Sequence, residues 1–553
     1  MVSRLTRRRV LSAAAVVSAG AVVAGCGRYG GAATNRSSGG GSSAESPRPG
    51  GQLTVRQLTD PFDFDPTGKP TNNRSPVSQC YDSLLSFKAM PDNPFNNVVL
   101  QPGLAEKWEA PDGATFTFHL RKGIRFHDLK PVNGREVTSA DLKWSMEYIS
   151  RTGQMKSDKK LFPALYSDSF QGLIDIQTPD PYTVVYKFSD PLAPFLNYCA
   201  AEWNPVLAHE VYDAEGNFSN TLIGTGPFIR DATASQNGQR SVYRRNPAYF
   251  LQGIPYLDQV NEIDLKDDST ALAALQTKQL DMIESRTVTG IGGPDVIKRS
   301  VPDAVIFTDL MKSKLISLGT DKPPLNDVRI RQALSLSIDR DDFIKTMTGG
   351  KGQWALASSI PGLFSDQEIK QILKYDPEQA KRLVADAGYP NGVDIELIYP
   401  TQKYGQEHIT QVQLLQAQTK KGNINLKLTP LEDSTESRRQ KEGDFQIDVL
   451  PSTVKAGDLD GIIFALYYST SGSNYGHVKD PKLDQMLVAQ RREMDAAKRK
   501  DLIRQAVRYL NEQVYGLGLY DAPEYWPWQP YVKNFALNVA QLNNHYLYTW
   551  LDK

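Results

Sequence analysis

LQPGLAEKWEAPDGATFTFHLRKGIRFHDLKPVNGREVTSADLKWSMEYI, residues 100–149, holds both kinds of element from which the chain is built. Within it Thr115-Phe116-Thr117-Phe118-His119-Leu120 alternates polar and apolar side chains, the period-two pattern of a strand buried on one face. Thr138 and Asp141 then stand three residues apart, as in a capping box, directly ahead of LKWSMEYI. That spacing predicts a helix start. Outward from this stretch the same alternation predicts strands at 53–58, 183–188, 260–265, 395–400, 424–431 and 445–450. Asp376-Pro377-Glu378 predicts a helix that Gly388 ends, and Asp495 precedes one with an apolar stripe of Leu502, Ile503, Ala506, Val507 and Leu510. The basic residues Arg491, Arg492, Lys498, Arg499 and Lys500 are interleaved with Glu493, Asp495 and Asp501, which reads as a solvated helix face. Strands and amphipathic helices alternate along the whole chain. The fold class is α/β with more than one lobe, and lobes joined by strands commonly bind ligands in the cleft between them.

The 553 residues correspond to two to four domains, and a composition of 40% hydrophobic and 23% charged residues is that of a soluble globular protein. Lys+Arg and Asp+Glu are equal at 63 each, so no basic excess marks a nucleic-acid partner. The balance is uneven along the chain: residues 1–50 hold seven arginines and one acid, which leaves the remainder at −6. Arg4 to Arg9 precede a run of small apolar residues, 10–25, that is too short to span a membrane and reads as the core of a signal peptide. Arg7 and Arg8 resemble the pair of a twin-arginine export signal. Val23-Ala24-Gly25-Cys26 resembles the lipobox of bacterial lipoproteins, with Cys26 the residue that would be lipidated. Residues 26–50 are Gly/Ser-rich and read as a flexible tether. The expectation is a protein lipid-anchored to the cell membrane on its extracytoplasmic face. Cys80 and Cys199 could pair in such a compartment or remain separate buried thiols.

Motifs of chemistry are missing. His209-Glu210 is followed by Asp213 where a zinc-protease helix has its second His. Gly349-Gly350-Lys351 lacks the other elements of a phosphate loop, and neither a GxSxG elbow nor a CxxC occurs. The six histidines are scattered without metal-ligand spacing; His119 and His127 read as structural hydrogen-bonding groups, and Asp267-Asp268 and Asp341-Asp342 as helix N-terminal charge. The expectation is a protein without cofactor, metal or catalytic activity.

Residues 100–149 carry, in order, P-x-LAE-x-W, DG-x-x-x-TF-x-LRKG-x-x-FHD and T-x-x-D-x-x-x-S. This resembles the signature region of the family 5 extracellular solute-binding proteins of ABC importers, the oligopeptide, dipeptide and nickel group. Gly224-Thr225-Gly226-Pro227-Phe228, the segment 323–344 and the segment 375–392 resemble further family motifs in family order. The resemblance implies a two-lobed, three-domain fold of the periplasmic-binding-protein type (type II), with hinge and interlobe cleft. Domain I would comprise 51–94, 221–305 and 529–553, domain II 95–220 and domain III 306–528. It also implies a monomeric receptor that delivers a peptide-like solute to the subunits of an ABC permease. The alternatives are an oligosaccharide or nickel-chelate ligand within the family and, outside it, a secreted lipoprotein hydrolase.

In peptide-binding members a domain III carboxylate pairs with the ligand's α-ammonium, within a Trp-x-x-Asp-x-x-Asp-Pro stretch after a strand. The corresponding stretch here is LPSTVKAGDLDG, 450–461, which makes Asp458 the first candidate and Asp460 the second. This stretch lacks the family's Trp and Pro, and loop capping is the competing role for Asp458. Trp354, Trp526 and Trp528 are the aromatic candidates for the cleft, with Tyr467 and Tyr468 after them; core packing is the competing role, favoured for Trp108 and Trp144.

Overall fold

The computed structural model describes residues 46–57, 64–66, 74–153, 155, 167–283, 293–360, 362–402, 405–454, 458–540 and 546–553. Arg7, Arg8 and Cys26 lie outside the described residues.

Strand Thr115–Leu120 buries alternate residues, and so does its antiparallel partner Thr183–Phe188. With Ala105–Glu109 and Leu173–Asp180 they form a four-stranded antiparallel sheet. The inward rings Phe116 and Phe188 close on Phe195 of helix Phe195–Ala200, with centroids 4.6 and 4.8 Å away. Helix Ser139–Ser150 begins at the expected Thr138, whose backbone N–H donates to Asp141 Oδ2 at 2.8 Å. Asp141 is fixed in turn by Arg135, which also grips Glu210. Cap and clamp hold the helix to the sheet.

The middle of the 100–149 stretch is tied to a distant part of the chain. The His127 backbone N–H donates to Gly224 O at 2.8 Å, and its Nε2 lies 3.1 Å from Gly226 O. Burial pushes the His127 imidazole down to about 4, so it is neutral. Gly224 and Gly226 are required because any Cβ there would run into the backbone around Cys80; at Gly226 it would come within 2.6 Å of Gln79 O. Cys80 and Cys199 are both buried and both free thiols. Burial pushes the Cys80 thiol up to about 12, which leaves it inert.

Among the described residues an eleven-stranded mixed sheet reaches into both lobes. Gln52–Gln57 pairs in parallel with Gln259–Asp264 on one side and Met282–Ile283 on the other. Val393–Pro400, Ile424–Leu431 and Ile447–Val454 form the other half. Two long antiparallel strands, Val305–Leu318 and Gly516–Trp528, join the halves. Trp528 pairs with Met282 at one end, whereas Leu315 to Leu318 pair with Leu450 to Ile447 at the other. Between these ends the register slips at Leu310/Lys312 and again at Ser313/Leu315. Such bulges bend and twist a strand pair, and here they lie where the chain passes from one half to the other. The last predicted strand also runs on past its expected end at 450: the slip opposite Ser313/Leu315 spans Pro451, and a bulge is where a sheet interior tolerates proline.

The cores divide in the same way. One cluster joins Leu53, Val55 and Val260 of the large sheet with Phe116, Phe118 and Tyr186 of the small one, and ends at Trp526 and Leu551. Two others lie within residues 315–522, around Ile395, Leu426 and Leu517 and around Ile463, Leu483 and Val507. The fold is therefore α/β and two-lobed.

Candidate functional site

Strand Ile447–Val454 leads towards the stretch expected to face the cleft, and helix Asp460–Tyr467 follows it. Asp458 and Asp460 stand at the start of that helix. Both are engaged. Asp458, with its side chain 7% exposed, accepts from both Nη atoms of Arg499 at 2.7 Å and from Asn197 Nδ2 at 2.8 Å. It also accepts from the Asp460 backbone N–H at 2.9 Å, the loop-capping role weighed against ligand contact. Asp460 is fully buried and receives Arg491 through Nε at 2.9 Å and Nη2 at 2.8 Å, together with Gln490 and the Tyr198 hydroxyl.

These contacts correct the reading of 491–500 as a solvated helix face. Arg491, on helix Pro481–Arg492, and Arg499, on helix Ala496–Glu512, turn inward, and Arg491 lies 3.2 Å from the centre of the Phe464 ring. Lys498 and Arg492 remain exposed. Burial alone would raise the Asp458 pKa, yet the Arg499 guanidinium and the hydrogen bonds around it hold the carboxyl below its ordinary value. The Arg499 guanidinium is buried as well, which works against its charge, and Asp458 still moves its pKa up.

The pairs sit where the lobes meet. Asn197 and Tyr198 belong to helix Phe195–Ala200 of the first lobe, and Arg491 Nη1 donates to Asp168 O at 3.0 Å. The Ala193 N–H donates to Arg491 O at 2.7 Å, and Ser471 Oγ to Asp168 Oδ2 at 2.7 Å. None of Asp168, Asn197 and Tyr198 was singled out from the sequence. The available signal lay on the partner helix, where Leu483, Leu487, Gln490 and Arg491 recur at helical spacing and place an amide and a charge on a buried face.

The other candidates are dispersed. Trp354 is half-buried, donates from Nε1 to Asp341 Oδ1 at 2.7 Å and holds Lys370 Nζ 5.3 Å over its ring. It borders a cavity of about 310 Å³ together with Ile344, Lys345, Gln353, Asp366 and Lys370. Tyr467 is buried against Ser358, 3.2 Å from its hydroxyl, and burial pushes its phenol up to about 12. Tyr468 stacks on Phe464. Trp526 is 2% exposed and Trp528 half-buried, both against Phe535 in the first lobe's core. Among the described residues no group of three His, Cys, Asp or Glu could hold a metal, and no helix is long and apolar enough to cross a membrane.

Residues 99–474 match the model of the bacterial extracellular solute-binding proteins, family 5. The chain belongs to this family. Family 5 proteins are extracytoplasmic binding proteins of ABC importers, and the relatives of this chain bind solutes and are not enzymes. This family 5 chain is 28% identical to the dipeptide-binding protein of Escherichia coli over 84% of its own length and 88% of the relative's. It is 25% identical to heme-binding protein A of Haemophilus influenzae over 84% and 86%. Its fold is similar to that of the periplasmic binding protein DppA from Helicobacter pylori in complex with the peptide STSA, with a TM-score of 0.78, 23% identity and coverage of 92% and 99%.

Proposed function

We propose that this family 5 protein is the lipid-anchored receptor of an ABC importer, which captures a peptide-like solute between its lobes and delivers it to the membrane permease. The observation that carries the ligand class is the similarity to a dipeptide-binding protein along nearly the full length of both chains. The two bulged strands Val305–Leu318 and Gly516–Trp528 supply the hinge: they join the lobes, and a pair of bent strands can rotate with its hydrogen bonds intact. The solute needs only greater affinity for the closed form to drive closure. Cys26 would carry the lipid and residues 27–50 the reach.

Asp458 and Asp460 already hold arginines, so a ligand ammonium would have to displace Arg499 or Arg491 from a buried bidentate pair. The reading therefore places no ligand contact on them. Of the aromatic candidates Trp354 borders a cavity, lined by second-lobe residues alone, and we assign its ring to the solute as that lobe's contribution.

A thermal-shift series on protein stripped of ligand by unfolding and refolding tests this reading. Defined di- and tripeptides are expected to raise the midpoint as their concentration exceeds Kd, by about 2.7 kcal/mol of stabilisation at a hundredfold excess. A flat response to peptides, with a shift on adding oligosaccharides or nickel-histidine, would replace the peptide assignment.

A further inference from the structure

The buried centre of the joint between the lobes has an asymmetric distribution of charge. Asp458 with Arg499 and Asp460 with Arg491 are all residues of the second lobe, so both pairs are complete without the first. The first lobe's hydrogen bonds to them come from neutral groups: the Asn197 amide on Asp458, the Tyr198 hydroxyl on Asp460 and the Asp168 carbonyl on Arg491, while the Asp168 carboxylate beside them accepts from Ser471 Oγ and the Gly472 N–H. An ion pair split across this surface would strand two desolvated charges each time the lobes parted, at a cost of several kcal/mol. In the observed arrangement parting breaks no buried ion pair; Arg492 and Asp190 pair across the joint only at its exposed rim. The arginines keep their acids, and Asn197 and Tyr198 exchange one partner for water.

The surfaces also fit closely. Gly113 of the first lobe lies against Met494 of the second, where a Cβ would come within 2.6 Å of Sδ. Gly113 takes a positive φ of 67°, so its backbone calls for glycine, while the exposed Met494 side chain is free to move.

We infer that Asn197 and Tyr198 are the releasable half of a latch whose fixed half is the self-neutralised pair of ion pairs, and that these two positioning residues set the balance between open and closed lobes. They act on solute affinity through that balance without touching the solute. Asp458 and Asp460 thereby gain a role that the ligand-anchor reading does not contain.

The latch can be read without any solute, which keeps its test separate from that of the peptide assignment. In full-length protein carrying Cys26→Ser, the substitutions Asp168→Cys and Ser471→Cys place two thiols where side-chain oxygens lie 2.7 Å apart across the joint. Cys80 and Cys199 are buried and do not compete. Mild oxidation is expected to cross-link this protein readily, and Asn197→Ala with Tyr198→Phe to slow the reaction at least about fivefold, a shift of about 1 kcal/mol in the closed population. Equal rates in the two backgrounds would overturn the inference, as would failure to cross-link with the latch intact. Tyr198→Phe alone keeps the ring in its core and is measured alongside. A lowered thermal midpoint with an unchanged cross-linking rate would reduce both residues to structural support and also overturn it.

Discussion

Removing the charge of Asp458 while Arg499 stays in place would leave a guanidinium, only 14% exposed, without its counter-ion. Asp458→Asn is therefore expected to lower the unfolding free energy by about 3–5 kcal/mol. The joint replacement Asp458→Leu with Arg499→Met should cost less than the single one. Urea titrations check both, and a single variant as stable as the parent would contradict the buried pair. His127 gives a prediction in pH. Its folded pKa of about 4 lies below the ordinary value of 6.5, so the folded state resists the proton that the unfolded state accepts. The His127 contribution is complete above pH 6.5 and fades as pH falls towards 4, by about 3 kcal/mol at most. Subtracting the stability curve of His127→Asn from that of the parent should isolate this slope; parallel curves between pH 4 and 7 would refute it. At this scale the sequence shows charges and not their partners. Asp460 and Arg491 are 31 residues apart, and Asp458 and Arg499 are 41 apart. Only the packing of two helices against a third brings them together, so one cluster read as surface charge and the other as a ligand anchor.

Among the elements, the turn at Gly224-Thr225-Gly226 depends on the absence of side chains. Gly226→Ala would push a methyl group into the backbone of Gln79 and Cys80, and overpacking of this kind costs about 1–3 kcal/mol. A chemical-denaturation midpoint unchanged by the substitution would show that the turn has room. Thr138→Ala, by comparison, should cost about 1 kcal/mol, the usual value of an N-cap, because Asp141 keeps its Arg135 clamp. Alternation made most strands legible, since one face of each is buried: Thr115–Leu120 and Thr183–Phe188 stand where the pattern placed them. The pattern failed where backbone geometry departs from period two. Strand Ile447–Val454 runs through the bulge at Pro451, and the fourteen-residue strand Val305–Leu318, with its two register slips, offers no single alternation to read. Helix Phe195–Ala200 has six residues, too few for its periodicity to stand out, and the joint residues Asn197 and Tyr198 were missed with it.

In the whole molecule, the two-lobed architecture was legible through the family motifs, two of which meet in a tight packing point between distant segments, His127 on the turn at Gly224. The resemblance set the crossings at 305/306 and 528/529, at the ends of the two continuous strands that join the halves, and no linker composition marks them. The proposed anchor predicts that Cys26→Ser moves the protein from the membrane fraction to the medium; a variant retained wholly in the membrane would refute it. The solute itself decides the central claim. Native mass spectrometry of the protein purified without unfolding should show a bound species that denaturation releases, with the mass and fragmentation of a short peptide. A released sugar, or a nickel chelate without peptide bonds, would contradict the account.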